Sequence, residues 1–297
     1  MGRLFGTDGV RGIAGKELTN ELAYQLGRSG AYVLTEHSPR DKAVIVIGKD
    51  TRVSSYMLEA SLIAGILSVG CDVVMVGVIP TPGIAHLVRE EQFDAGIMIS
   101  ASHNSFEYNG IKFFNSEGYK LTDEIEEEIE SYILGEETID KEFIGEAIGR
   151  MEWRKDLREK YIEHAGQLCH EDLSGLRILL DTAHGATYKM APRIFEACGA
   201  QIDQISNAPN GININDNCGS THLEALAEGV LKGGYDFGLA FDGDGDRVLA
   251  IDGKGREVDG DKIMAICAQY LRETGDLKTP VVVATVMSNL GFIQYMK

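Results

Sequence analysis

Positive charge is scarce in this chain: 28 Lys and Arg stand against 46 Asp and Glu, a net charge of −18 over 297 residues. Nucleic acids and anionic membranes are bound through cationic patches, so neither is expected as a partner. The five cysteines, Cys71, Cys169, Cys198, Cys218 and Cys267, are odd in number and include no Cys-x-x-Cys spacing. That argues against a disulfide framework and a zinc knuckle, and leaves reduced thiols as filler. No apolar run approaches a membrane span, and the first residues lack the apolar core of a secretory signal. Gly6 stands where a myristoylation signal needs Ser or Thr, so a cytoplasmic location is the default expectation. Neither Gly-x-x-x-x-Gly-Lys-[Ser/Thr] nor Gly-x-Gly-x-x-Gly occurs, which argues against a nucleotide site.

What is present is an ordinary apolar fraction, 44%, in a chain long enough for about two domains and more than one core. Helical and strand-like stretches alternate from the start. Residues 18–35, 54–69 and 82–91 carry helical periodicity, whereas 43–47, 71–76 and 95–99 are short apolar runs of the kind that form buried strands. Residues 111–114 predict an edge strand, and the acidic run 123–130 a surface helix with a solvated face and no binding role. Residues 135–150 turn polar and irregular, as a linker would. The same alternation then returns: helices over 156–167, 186–198 and 222–231, strands over 177–181, 201–205 and 237–240, and a hairpin strand over 247–252. A third unit begins with a helix over 261–273 and a buried strand over 281–286. The expected class is α/β, in consecutive three-layer domains with mixed sheets: 1–150, 151–254 and an incomplete third unit, 255–297.

Two loops carry the chemistry. Ile99-Ser100-Ala101-Ser102-His103-Asn104-Ser105 follows a buried strand, and ligands of open α/β sheets collect beyond the carboxyl ends of strands. Phe241-Asp242-Gly243-Asp244-Gly245-Asp246-Arg247 follows another, with three carboxylates alternating with two glycines. Such carboxylates converge only if the backbone curls, and converged anions repel unless a cation lies between them. Arg247 and Gly253 occupy the places where a calcium-binding EF-hand needs Gly and Glu, so Mg²⁺ bridged to a phosphate is the better reading. Ser102 is not a hydrolase nucleophile of the Gly-x-Ser-x-Gly type, because Ser100 and Asn104 flank it there. An anionic substrate on an acidic protein needs local cations, and Arg11, Lys49, Arg52, Lys112 and Arg247 are the candidates.

The chain resembles the α-D-phosphohexomutase superfamily. Three stretches carry the resemblance, in matching order and spacing: Phe5-Gly6-Thr7-Asp8-Gly9-Val10-Arg11-Gly12, the serine loop continuing through Tyr108-Asn109-Gly110-Ile111-Lys112, and the metal loop 242–247. The first of them is similar to the glucosamine branch more than to phosphomannomutases or phosphoglucomutases. The resemblance implies four domains, of which the third would be truncated here and the fourth would lie outside the sequence. It implies a phosphoserine at Ser102 that donates its phosphoryl group to glucosamine 6-phosphate and recovers the other phosphate from a 1,6-bisphosphate. The product would be glucosamine 1-phosphate, a precursor of UDP-N-acetylglucosamine and of the cell wall. Mg²⁺ would be held by Ser102, Asp242, Asp244 and Asp246, with glucosamine or glucose 1,6-bisphosphate as activator. Lys112 matches a general acid/base whose pKa would have to be depressed, and Arg11 and Arg247 match contacts to the phosphoserine region. His103 is carried with them as a further catalytic candidate, and a homodimer is left open. Phosphomannomutase or phosphoglucomutase activity, a phosphatase or sugar-phosphate phosphotransferase, and a non-catalytic binding module are the alternatives.

Overall fold

The structure, a computed structural model, describes residues 4–36 and 38–296. In chain order the first unit contains β1 (Val10–Ile13), α1 (Asn20–Thr35), β2 (Val44–Lys49), α2 (Ser54–Leu67), β3 (Asp72–Val78), α3 (Thr81–Glu90), β4 (Ala95–Ile99), β5 (Tyr108–Phe114), α4 (Asp123–Ile133) and β6 (Met151–Trp153). Its sheet runs β1-β5-β4-β2-β3-β6, with β2, β3, β4 and β6 parallel and β5 antiparallel to both β4 and β1. Apolar residues are continuous along the central strands because both faces are covered. Ile45 and Ile47 pack with Leu26, Leu58 and Leu62 of α1 and α2. Val46 and Met98 face the other way, onto Ile84, Leu87 and Val88 of α3. Each such side chain contributes about 1.5–3 kcal/mol by leaving water. Helices α1 and α2 cross closely at two glycines: a Cβ on Gly27 would lie 2.4 Å from the Leu62 carbonyl, and one on Gly65 would lie 2.2 Å from that of Tyr24.

The second unit contains α5 (Asp156–Gln167), β7 (Arg177–Asp181), α6 (Met190–Ala197), β8 (Gln201–Ile205), α7 (Glu224–Gly233), β9 (Phe237–Phe241), β10 (Val248–Asp252) and β11 (Glu257–Val258). Its five strands run β11-β10-β9-β7-β8, parallel at β8-β7-β9 and antiparallel from β9 outward. Two helices follow, α8 (Gly260–Thr274) and α9 (Leu290–Tyr295).

Four expectations change. Residues 111–114 belong to a longer strand, β5, that lies inside the sheet between β1 and β4 and is therefore no edge. The polar stretch 135–150 lies on the first unit: Ile139 and Phe143 pack against its core, and Lys42 Nζ donates to the carbonyls of Glu146 and Ile148 at 2.6 and 2.9 Å. The first sheet then runs past residue 150 to take in β6, and Leu157 and Ile162 of α5 are buried in the α3 cluster. Helix α4 is not wholly solvated, because Glu126 and Glu130 are buried and Glu130 Oε1 accepts from the backbone N–H groups of Leu4 and Phe5 at 2.7 and 2.8 Å. Residues 281–286 form no strand. Val283 and Val286 are 89% and 100% exposed, and among the described residues no strand lies beside them to take their backbone hydrogen bonds.

Candidate active site

The two chemistry-bearing loops meet. Ser102 follows β4 of the first sheet and the acidic loop follows β9 of the second, and the Ser102 hydroxyl donates to Asp242 Oδ2 at 2.6 Å. Arg247, at the far end of the acidic loop, donates from Nη2 to the same Ser102 Oγ at 2.6 Å. Ser102 has no exposed surface, and its φ is +53°, a left-handed conformation that costs a non-glycine residue about 1–2 kcal/mol. Close approach of the loops depends on Gly243, where a Cβ would lie 2.5 Å from the Ser102 carbonyl oxygen.

The three carboxylates converge as their spacing predicts. Asp242, Asp244 and Asp246 each bring one oxygen within 4.8 Å of the others. Asp242 and Asp244 are buried, and Asp246 is exposed. Burial first, and then the Asp244 carboxylate, push Asp242 up to about 7. Burial also raises Asp244, but the Lys112 ammonium and Thr81 outweigh it and hold Asp244 below the usual carboxylate range. Asp244 Oδ2 accepts from Lys112 Nζ at 2.7 Å and from Thr81 Oγ1, at the start of α3, at 2.6 Å. Its Oδ1 is buried and accepts no hydrogen bond among the described residues. A buried, unpaired carboxylate oxygen in an all-oxygen cluster is the donor set of a hard divalent cation, so these residues fit Mg²⁺.

Lys112 projects from β5 and is 3% exposed, with Asp8 Oδ2 at 3.1 Å and Asp246 Oδ2 at 3.5 Å besides Asp244. The expected depression of its pKa is not found. Burial does lower it, but Asp244, Asp8 and Asp246 together outweigh burial and the net shift is upward. Arg11, on β1, pairs through its Nη2 with Asp8 Oδ2 at 2.5 Å, and so joins the cluster through the carboxylate it shares with Lys112. His103 is exposed beside Ser102, and Arg247 Nη2 lies 2.7 Å from its Nδ1. A guanidinium only donates, so Nδ1 accepts and the proton of the neutral ring sits on Nε2. Burial, then Arg247 and Arg11, lower the His103 pKa.

Two of the five expected cations are spent elsewhere. Lys49 is buried against Glu59, Nζ to Oε2 at 2.5 Å, beneath the ring of Tyr56. Arg52 has no exposed surface; it pairs with Asp50 at 2.8 Å and donates to the carbonyl oxygens of Ser102, Asn104, Ser105 and Tyr108. Sequence reading passed over Asp8, Thr81 and Asn215. Asp8 was in the quoted Gly-Thr-Asp-Gly motif, whereas nothing local marks Thr81 or Asn215.

Matches to known families agree with this geometry. Residues 2–140, 159–255 and 259–297 match the models for the alpha/beta/alpha domains I, II and III of phosphoglucomutase/phosphomannomutase. The chain is 55% identical over 291 residues to a phosphoglucosamine mutase of Clostridium acetobutylicum, covering 98% of this chain and 64% of that protein. It is 54% identical over 297 residues to that of Bacillus cytotoxicus, covering 100% of this chain and 66% of the relative. The chain thus spans about two thirds or slightly less of the length of these relatives. Among solved structures, a phosphoglucomutase/phosphomannomutase family protein from Burkholderia thailandensis superposes with a TM-score of 0.79 at 24% identity, over 91% of this chain and 59% of that one. A phosphomannomutase-like protein from Thermus thermophilus gives 0.76 at 25% identity, over 91% and 62%. With three consecutive domain models matched and the serine and acidic loops facing each other across two of them, the chain belongs to the phosphoglucomutase/phosphomannomutase family of phosphohexomutases.

Proposed function

We propose that this chain carries the phosphoryl-transfer site of a phosphoglucosamine mutase, interconverting glucosamine 6-phosphate and glucosamine 1-phosphate through a phosphoserine at Ser102 and a 1,6-bisphosphate. The observation that carries the proposal is Ser102 Oγ, set 2.6 Å from an acidic-loop carboxylate and 2.6 Å from a guanidinium of the same loop. The branch rests on relatives named phosphoglucosamine mutase at 53–56% identity.

Phosphoryl transfer is catalysed mainly by positioning and charge stabilisation, and the residues divide accordingly. Asp242, Asp244, Asp246 and an oxygen on Ser102 would hold Mg²⁺, which when bound neutralises charge on the transferring group and keeps the phosphoserine from being repelled by Asp242. Arg247 donates toward Ser102 Oγ and lies where it can pair with phosphoryl oxygens. Lys112, kept as a cation by its carboxylates, is suited to donate a proton to a departing sugar oxygen, and can act as a base only when those carboxylates are drawn off it. The His103 Nε2–H is left to hydrogen-bond a sugar hydroxyl or phosphate. Arg11 holds Asp8, and through it Lys112, in place. The bisphosphate serves as activator because it rephosphorylates Ser102, and a cytoplasmic location and a cell-wall use of the product complete the reading.

The test uses the protein at its full encoded length, with glucosamine 6-phosphate, Mg²⁺ and a catalytic amount of glucose 1,6-bisphosphate, followed by ³¹P NMR. Conversion to the 1-phosphate without free phosphate is the expected result. Stoichiometric release of inorganic phosphate would make the site a phosphatase, and faster turnover of the mannose or glucose phosphates would move the chain to those branches.

A further inference from the structure

We propose that Asn215 is a positioning residue for Ser102, closing the serine loop into its reactive shape from the opposite unit. The proposal rests on the reading of Ser102 as the phosphoryl carrier. Two carbonyl oxygens of that loop, Ser102 and Asn104, are each gripped twice. Arg52 Nη2 donates to them at 3.0 and 2.8 Å, and Asn215 Nδ2 donates to them at 2.9 and 3.0 Å. One donor comes from the first sheet's unit and the other from residue 215 of the second, 113 positions along the chain from Ser102.

Neither donor is adjustable. Arg52 is fully buried and pinned by Asp50. Asn215 is 9% exposed, sits at φ +59°, and is tied by its own N–H to the Ala183 carbonyl at 2.9 Å. Gly243 closes the third side of the cage, with no room for a Cβ between the Ser102 carbonyl and the Asn215 amide. A left-handed residue without glycine persists only where its surroundings over-determine it, and here two fixed donors and a close backbone contact do so. The consequence is directional. With its carbonyl held, Ser102 turns Oγ toward Asp242 and Arg247. If the second unit is displaced, one of the two donors leaves and the loop is free to relax toward an unstrained φ, so phosphoryl transfer is tied to docking of the two units. Reactions held in near-attack geometry lose about a hundredfold for roughly 1 Å of misplacement, which sets the size of the effect.

Asn215→Asp keeps the shape and the tolerance for positive φ but replaces the donor with an acceptor aimed at two carbonyls. Asn215→Gly keeps the φ and removes the side chain. In the full-length enzyme both are expected to lower kcat about tenfold to a hundredfold, with KM for glucosamine 6-phosphate and the Mg²⁺ dependence within about twofold of wild type. Intact-mass measurement over time is expected to show phosphate leaving Ser102 faster in both variants. A wild-type kcat in either variant, or a rise in KM and a loss of Mg²⁺ affinity matching the fall in kcat, overturns the proposal, since the second pattern marks general disorder of the interface. If one variant does not fold, the other decides. A Ser102→Ala control separates the two levels: an active Ser102→Ala refutes the phosphoserine reading itself, whereas an inactive Ser102→Ala beside a fully active Asn215→Gly refutes only the role of Asn215.

Discussion

Replacing Asp244 by Asn tests the metal reading through stability, without any assay of turnover. In the wild-type protein Asp244 is unexposed, faces Lys112 at 2.7 Å and Thr81 at 2.6 Å through one oxygen, and leaves the other without a hydrogen-bond partner among the described residues. A cation taking that free oxygen binds only the folded protein. At a hundredfold excess over its Kd it stabilises by about 2.7 kcal/mol, which at about 2 °C per kcal/mol is a rise of about 5 °C in Tm. Asn keeps the shape and can turn its oxygen toward Lys112, but it removes one of three charges holding the ion. If affinity falls tenfold, the same Mg²⁺ concentration yields about 1.4 kcal/mol less, and the Tm rise is roughly halved. In EDTA the variant is also less stable, because Lys112 keeps only Asp8 and Asp246 as charged partners. Differential scanning fluorimetry across a Mg²⁺ series, with EDTA as baseline, reads both effects. Equal Mg²⁺-dependent shifts in wild type and Asp244→Asn would remove Asp244 from the ion's ligands, and no shift in wild type would refute the site.

Three further outcomes follow from the geometry. Gly27→Ala places a Cβ 2.4 Å from the Leu62 carbonyl and should destabilise by about 1–3 kcal/mol through separation of α1 and α2, measured as a lower urea midpoint. Glu130→Gln weakens the acceptor that receives the Leu4 and Phe5 N–H groups, so hydrogen exchange at those two amides should accelerate while the sheet amides stay protected. Arg52→Met leaves Asp50 buried without its cation and takes the guanidinium's hydrogen bonds from four loop carbonyls; a loss of about 3–5 kcal/mol is expected in denaturant titration, and a near-neutral result would refute the assigned network.

The parts of the site that were legible in sequence are those whose chemistry is local. Carboxylates alternating with glycine at 242–246 constrain one another over five residues, and Ser102 follows a short apolar run, rich in β-formers, that reads as a buried strand. The parts that were not legible depend on pairings across the chain. Residues 111–114 read as an edge strand because β1, a four-residue strand containing glycine, does not announce itself as the partner that makes β5, and Lys112 on it, interior. The sign of the Lys112 pKa shift could not be read either, since Asp8, Asp244 and Asp246 reach it from three places in the sequence. Arg52 and Lys49 looked like substrate cations because burial is invisible in a list of charges, and the folded chain uses both to neutralise or satisfy its own interior. Glu130 was read as part of a solvated face for the same reason. Residues 281–286 had the composition of a buried strand, but a strand needs a neighbour to take its hydrogen bonds, and composition does not supply one.

The central claim is that Ser102 carries the phosphoryl group between the acidic loop and Arg247. Intact mass followed by peptide mapping of the purified full-length protein, with Ser102→Ala alongside, tests it most directly. The account predicts one phosphate, on the peptide containing Ser102, and the loss of both phosphate and mutase turnover in Ser102→Ala; phosphate on another serine, or undiminished turnover in Ser102→Ala, would contradict it.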